Sequence, residues 1–389
     1  MTEKRLRVAL LNVTTTTQMG GVESFVWEIA THLPADEVQV DVLGGHGKIT
    51  RDMPPGVRVR TFPYLPRTFW ARVPLLRRSK PLVKLLERLS FGIAVLPTLL
   101  RERYDILHIQ KPFDLPVAGL ARLFVGSKVL FGCHGTDYFP GDRFFVRAAD
   151  GAVSCSRFNA SQIVEHYHLN PVVIFNGFDP ALFHPMPRDL ELRARFAAST
   201  EHLLLFAGRL IRWKGVQHLL DALSQLDPDV KLVITGEGDE RERLEQQAHD
   251  LQLSGRVFFS GRVATADLPR YYSISDLVVL PSLTHETFSI VACEALACSR
   301  PVVGARVGGI PELVEELVPP GDASALANKI RALLADPAHR EELARRGCEQ
   351  VNTFLTWQAT TGRVVEIYRR LKRGERVFDA PNHIQQSLG

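Results

Sequence analysis

The chain has 389 residues, 45% hydrophobic and 23% charged, with a formal net charge of +4. That length exceeds one ordinary hydrophobic core and predicts two domains, and the composition is that of a globular protein without a long low-complexity tract. The mild positive balance suits anionic ligands or anionic membrane surfaces and gives no argument of its own for nucleic acid.

The opening stretch MTEKRLRVALLNV has a short apolar run that ends in polar threonines, which predicts a first strand rather than a signal peptide. Behind it, TTTTQMGGVESFVWEIATHL sets Gly20 and Gly21 in a loop ahead of a helix. Paired glycines allow a close backbone approach to a ligand, although a plain loop-to-helix turn explains Gly20 alone. Further β-branched runs follow at VQVDVL, VRVRTF, DILHIQ, KVLFGC, GAVSCS and VVIFN, alternating with helical patterns. This alternation predicts parallel sheets built from strand–helix–strand units.

Residues 67–88, RTFWARVPLLRRSKPLVKLLER, hold seven Arg or Lys against one acid, interleaved with apolar residues. They read either as a solvated helix face over core leucines or as a basic amphipathic segment on anionic lipid. No run approaches the ~18 apolar residues of a membrane span. In FGCHGTDYF, His134 ends a strand, where it serves either a cleft or the local structure. The five cysteines, Cys133, Cys155, Cys293, Cys298 and Cys348, show no zinc-ribbon spacing and fit a reducing compartment, so a cytoplasmic protein is expected.

At residues 176–189, NGFDPALFHPMPRD, the alternation pauses over three prolines and an Asn-Gly turn signal, which predicts a hinge. The expected division is a first domain over 1–180, a second over 190–355, and a helix with a polar tail over 356–389. Strands of the second half are expected at LLLFAG, KLVITG, RVFFSG, LVVLPS and PVVGAR. In FAGRLIRWKGVQHLL, Arg209 and Lys214 follow a strand and precede a helix. That arrangement binds phosphate, and two solvated loop cations would look the same. KLVITGEGDERERL carries Gly236 and Gly238 after a strand, with Arg241 in place of a third glycine. It is a partial dinucleotide fingerprint or a tight strand-to-helix turn.

LVVLPSLTHETFSIVACEALA runs from strand to loop to helix. Glu286 lies at the loop's end, and Thr287, Phe288 and Ser289 are expected to begin the helix with free amides that could meet a diphosphate. Glu294, two turns on, stands in an apolar run where a carboxylate is costly. It either meets ligand hydroxyls or pairs with a cation, while Glu286 either reaches a ligand or caps the helix. The pair Asp227 and Asp229 in LDPDV reads as a turn rather than a metal site. The His166–His168 pair is discounted for want of a nearby acid or thiol.

Taken together, GGVE, HGTD, VIFNGFDPALFHP, FAGRLIRWKG, ITGEGDERERL, LPRYYSISDLVVLPS and ETFSIVACEALACSRPVVGARVGGIPELV resemble the retaining, nucleotide-sugar-dependent glycosyltransferases of the GT-B fold. The resemblance covers nearly the whole chain, and Glu286 and Glu294 stand as that family's E-x7-E pair. It implies an α/β protein of two Rossmann-like, doubly wound domains facing a central cleft, the first for acceptor and the second for donor, with the last helix crossing back to the first. It implies that Arg209 and Lys214 hold the donor diphosphate, Glu286 the donor sugar and Glu294 the ribose. By the same resemblance His134 touches the donor sugar, Gly238 and Val263 flank the base, and the backbone at Thr287–Ser289, Gly20 and Gly21 approaches phosphate or sugar. The co-substrate would be a nucleoside-diphosphate sugar, with no further cofactor, and the acceptor a sugar, lipid-linked or small-molecule hydroxyl.

Two departures from the family pattern stand out. After GGIPELVEEL the chain runs almost directly into VPPGDASALANKI, where a further short strand is usual, so a trimmed corner is expected. THETF also replaces a commoner glycine-flanked form around Glu286. Rival readings are a nucleotide-sugar epimerase of the same architecture and a non-catalytic sugar-nucleotide binding protein. An NAD-dependent oxidoreductase fits less well, since no G-x-G-x-x-G follows the first strand.

Overall fold

The apolar runs form two separate all-parallel sheets. A computed structural model of the chain describes residues 5–18, 20–48, 51–135, 137–284 and 286–379. The chain divides into one unit of Met1–Asn176 with Trp357–Gly389 and another of Gly177–Thr356. The polar tail expected after the last helix lies, from residue 380 on, outside the described residues.

Among the described residues, the first unit holds strands β1 (Leu6–Leu11), β2 (Val38–Gly45), β3 (Val57–Phe62), β4 (Ile106–Ile109), β5 (Lys128–Cys133), β6 (Gly151–Ser154) and β7 (Val172–Val173). Their order across the sheet is β3-β2-β1-β4-β5-β6-β7. Both faces are covered, which is why the strands read as near-continuous apolar runs. Side chains alternate: Val8 and Leu10 of β1 pack with Phe25 and Ile29 of the helix Gly21–His32 and with Val364 and Tyr368 of the helix Trp357–Lys372. Ala9 and Leu11 point to the opposite layer, with Phe91, Leu99 and Leu115.

The second unit holds β8 (His202–Ala207), β9 (Val230–Thr235), β10 (Val257–Gly261), β11 (Leu277–Leu280), β12 (Val302–Ala305) and β13 (Glu316–Val318). Their order is β10-β9-β8-β11-β12-β13. In both sheets the strand order reverses beside the first strand, between β1 and β4 and between β8 and β11. At such a switch point the loops leaving the strands' carboxyl ends splay apart, and open α/β sheets bind their ligands there.

β13 corrects one expectation. The corner after GGIPELVEEL is short, yet it keeps its strand: Glu316, Leu317 and Val318 pair with Val303, Gly304 and Ala305. Gly304 makes this possible, because a Cβ there would lie 2.6 Å from the Ile310 side chain. Glu316 is pinned by Lys329 at 2.6 Å and His339 at 3.0 Å, so three residues suffice to close the sheet edge.

Candidate active site

In the second unit the site is built by two loops that leave β8 and β11 on either side of the switch point. The apolar run of β8 ends at Ala207, and the loop beyond it carries Arg209, exposed, before a tight turn at Arg212–Lys214. Gly215 closes that turn at φ +74°, and a Cβ on it would stand 1.9 Å from the Pro281 carbonyl oxygen. Only glycine lets the two loops meet this closely. The Leu283 amide donates to the Trp213 carbonyl at 2.8 Å, fixing the contact.

The consequence is that Lys214 Nζ lies 2.5 Å from Glu286 Oε2, which also accepts from Ser282 Oγ at 3.1 Å. Glu286 is only 7% exposed, so this carboxylate needs the ammonium partner that the clamp delivers. Its backbone is held from the far side. Gly309 N donates to the Glu286 carbonyl at 2.8 Å, and Gly308, at φ +62°, passes so close to that carbonyl that a Cβ would clash. The Gly-Gly turn after β12 therefore serves to set the main chain of Glu286.

The helix after Glu286 starts later than the sequence predicts. It spans Ile290–Ala297, with Ser289 as its N-cap, the Ser289 hydroxyl accepting from the Ala292 amide at 3.3 Å. Thr287 and Phe288 precede it, and Phe288 is buried. A serine hydroxyl competes for the first amides and so fixes the start one residue beyond itself. The first-turn amides with no intrahelical partner are thus those of Ile290 and Val291. Glu286 is not the cap, and the partner of Glu294 is not a cation: the fully buried Tyr272 donates its hydroxyl to Glu294 Oε2 at 2.8 Å. Burial pushes the Glu294 carboxyl up to about 7, against the opposing pull of the tyrosine hydrogen bond.

Gly238 makes a close backbone contact within the protein. A Cβ there would lie 2.2 Å from the Leu210 carbonyl oxygen, so its close backbone approach is to the neighbouring loop. Leu210 N donates to Glu237 O at 2.9 Å and Glu240 N to Leu210 O at 3.0 Å, joining the loop after β9 to the loop of Arg209. Arg241, in the third glycine's place, opens the helix Arg241–Asp250 and pairs with Glu237 and with Glu245. Val263 is half-buried just past the end of β10.

In the first unit, the loop after β1 is held by a buried polar cluster. Asn12 accepts from Arg88 at 2.8 Å, and Arg88 pairs with Asp114 at 2.6 Å, both nearly inaccessible to solvent. Thr14 donates to Glu23, which lies in the first turn of the helix that Gly20 caps. Gly20 has an extended backbone and a Cβ on it would meet Glu23, whereas Gly21 faces open space.

His134 sits at the end of β5 against the ring of Phe25, with 4.3 Å between centroids. Its Nε2 is 2.8 Å from Gln110 Oε1, and the Gln110 amide nitrogen donates to the His108 carbonyl at 3.3 Å. The amide is thereby oriented, and His134 Nε2 must be the donor. Burial, with His108 and Lys111 adding to it, holds His134 well below its ordinary value, so the ring is neutral. Behind it, His108 Nδ1 is 2.8 Å from the Tyr368 hydroxyl, and burial takes His108 down to about 3. His108 Nε2 is buried without a partner. It faces a small space over Gly132, where a Cβ would lie 2.8 Å from Gln110 Oε1 and 3.1 Å from each histidine Nε2.

Sequence reasoning did not single out Gln110, His108, Tyr272 or Tyr368. DILHIQ carries a signal, since His108 and Gln110 stand two positions apart at the end of a buried apolar strand. The discounted His166 does have an acid: Asp142, distant in sequence, lies 3.2 Å away, and Tyr138 stacks on the ring at 3.7 Å.

Residues 188–350 match the family model described as glycosyl transferases group 1, and residues 19–182 match that of glycosyltransferase family 4. The chain is 28% identical to the D-inositol 3-phosphate glycosyltransferase of Kineococcus radiotolerans, over 94% of this chain and 95% of that protein. Other curated glycosyltransferases, at 30–32% identity, align over 53–58% of their own length, so the chain spans little more than half of these relatives. Among solved structures, sucrose-phosphate synthase from Thermosynechococcus elongatus superposes with a TM-score of 0.81 at 25% identity, covering 95% of this chain and 100% of that one. HepE of Anabaena, solved in complex with UDP-glucose, shares the fold with a TM-score of 0.74 at 23% identity, over 94% of this chain and 100% of that one.

Gln110→Leu removes the acceptor for His134 Nε2 and leaves a buried donor unpaired, at a cost of about 1–3 kcal/mol. Nitrogen-15 NMR of the imidazoles should show His134 as the Nε2–H tautomer in the wild type and as a tautomer mixture in the variant. An unchanged spectrum would show that Gln110 does not set the ring.

Proposed function

The chain belongs to the glycosyl transferases group 1, of GT-B architecture, and from that premise we propose that it moves a sugar from a nucleoside-diphosphate sugar to a hydroxyl acceptor with retention of anomeric configuration. The observation that carries this reading is the Lys214–Glu286 contact at the β8–β11 switch point, with Arg209 unburied in the same loop. A cation beside an acid at that position suits a ligand with charge at one end and hydroxyls at the other. HepE, which shares the fold, binds UDP-glucose.

In the proposed reaction the bond from the anomeric carbon to the diphosphate oxygen breaks, and the acceptor oxygen bonds to that carbon. Negative charge builds on the leaving diphosphate, where Arg209, Lys214 and the amides of Ile290 and Val291 stabilise it. Glu286 orients sugar hydroxyls, and Glu294 takes the ribose hydroxyls with Tyr272 fixing one of its oxygens. Gly238 and Val263 border the base, while Thr287–Ser289, Gly20 and Gly21 supply backbone. His134 touches the sugar as a neutral ring. A histidine held this far below its ordinary value takes a proton poorly, so the departing phosphate accepts the acceptor's proton, and that favours retention over inversion. The five free thiols support the cytoplasm as the compartment.

Lys214→Ala and Arg209→Ala should each lower kcat about 10²–10³-fold, and nucleoside diphosphates should raise the melting temperature of the wild type by mass action. NMR of the product from an α-linked donor should show an α-linkage; a β-linkage would overturn retention, and near-normal turnover in either variant would remove that residue from the site.

Glu294 gives a pH signature. Ionised above about 7, it accepts ribose hydroxyls strongly; protonated below, it accepts them weakly. Donor KM should be level in mild alkali and rise, approaching tenfold per pH unit, as pH falls below about 7. Glu294→Gln should flatten this profile, and a wild-type profile that is already flat would take Glu294 away from the ribose.

A further inference from the structure

We propose that residues 65–82 of the first unit form a docking surface for an anionic bilayer. The structure sorts the seven cations of the basic segment into two groups. Arg67 pairs with Glu87 at 2.6 Å, Lys84 with Asp137 at 2.6 Å, and Arg88 is buried on Asp114, so these three serve the fold. Arg72, Arg77, Arg78 and Lys80 are exposed, and among the described residues none of them has an acid within ion-pair distance.

The same stretch exposes large apolar side chains. Leu75 is 78% exposed, Phe69 and Val73 44%, and Leu82 38%. Pro66, Pro74 and Pro81 break the chain into the short turns Arg67–Trp70 and Pro74–Arg77 and the start of the helix Lys80–Glu102. The apolar tips therefore stand among cations instead of folding into a core.

The occupant follows from charge. From Pro63 to Leu86 the sequence contains no Asp or Glu, so the segment itself carries no charge that repels phosphate headgroups. Four free cations supply long-range attraction and the apolar side chains reach the acyl boundary, the two contributions that hold a protein on a membrane surface. No helix among the described residues is long and apolar enough to cross a membrane, so the contact is peripheral. This surface lies outside the residues assigned to sugar transfer, so its test stands apart from that function.

The experiment is co-flotation of the full chain with vesicles of phosphatidylcholine alone or phosphatidylcholine mixed with phosphatidylglycerol, at low salt and at about 0.5 M salt. Binding is expected on the phosphatidylglycerol vesicles at low salt, with loss at high salt and little on phosphatidylcholine. Arg77→Ser with Arg78→Ser should weaken it about 30-fold, and Val73→Ser with Leu75→Ser about tenfold or more. All four positions are exposed, so circular dichroism and turnover of a soluble acceptor should match the wild type. Failure to float with phosphatidylglycerol at low salt, equal flotation on both vesicle types, or unchanged binding by the Arg variant would each overturn the proposal. Capture by polyglutamate beads without flotation would assign the surface to an acidic protein instead.

Discussion

The second unit depends on one close approach, that of Gly215 to the Pro281 carbonyl. Two loops from opposite sides of a sheet's switch point ordinarily diverge, and the crevice between them is then too wide for side chains to meet. Here a left-handed glycine lets the backbones touch, the Leu283–Trp213 hydrogen bond holds them, and Lys214 is delivered onto Glu286. The buried acid has its ammonium partner because of that approach, and the ammonium could not reach it without the glycine. The Gly308–Gly309 turn completes the arrangement by gripping the Glu286 carbonyl. Three loops, after β8, β11 and β12, are thus tied to one residue, Glu286.

The fold was largely legible because parallel strands buried on both faces leave long β-branched runs that period and turn signals can bracket. β1 to β12 fall where those runs lie. β13 escaped, since three residues with Glu at one end look like loop, and only pairing with β12 defines them. Arg209, Lys214 and Glu286 stand out in the sequence because each follows a strand, and Glu294 because it is an acid inside an apolar helical run. Their partners do not. Tyr272 reaches Glu294 from another helix, and the Lys214–Glu286 contact spans 72 residues of sequence. The helix start differs for a local reason: the sequence pattern admits Ser289 as a member, and its hydroxyl makes it the cap.

Glycines show why sequence patterns need geometry. Gly238 looks like part of a nucleotide fingerprint, yet the backbone it admits is that of Leu210. Gly132 belongs to no such pattern, yet its missing side chain leaves the space that Gln110 and both histidines share. The polar residues around it form a chain from Tyr368 through His108 and Gln110 to His134, crossing the sheet's interior where apolar packing is the rule. Such a chain imposes orientation on its last ring, which packing alone would leave free to flip.

Trp357, Val364, Tyr368 and Leu371 belong to the core of the first unit, and Val377 pairs beside Gly151, although the whole second unit intervenes in sequence. Val8 and Leu10 have only the Phe25 and Ile29 side of their cover until those residues leave the ribosome. The middle of the chain, being contiguous, completes its own core earlier, so the amino-terminal unit is the last to finish during synthesis. Part of its apolar sheet face therefore stays uncovered for as long as translation of residues 177–377 takes, and the core of this unit waits on a segment made after the whole of the other.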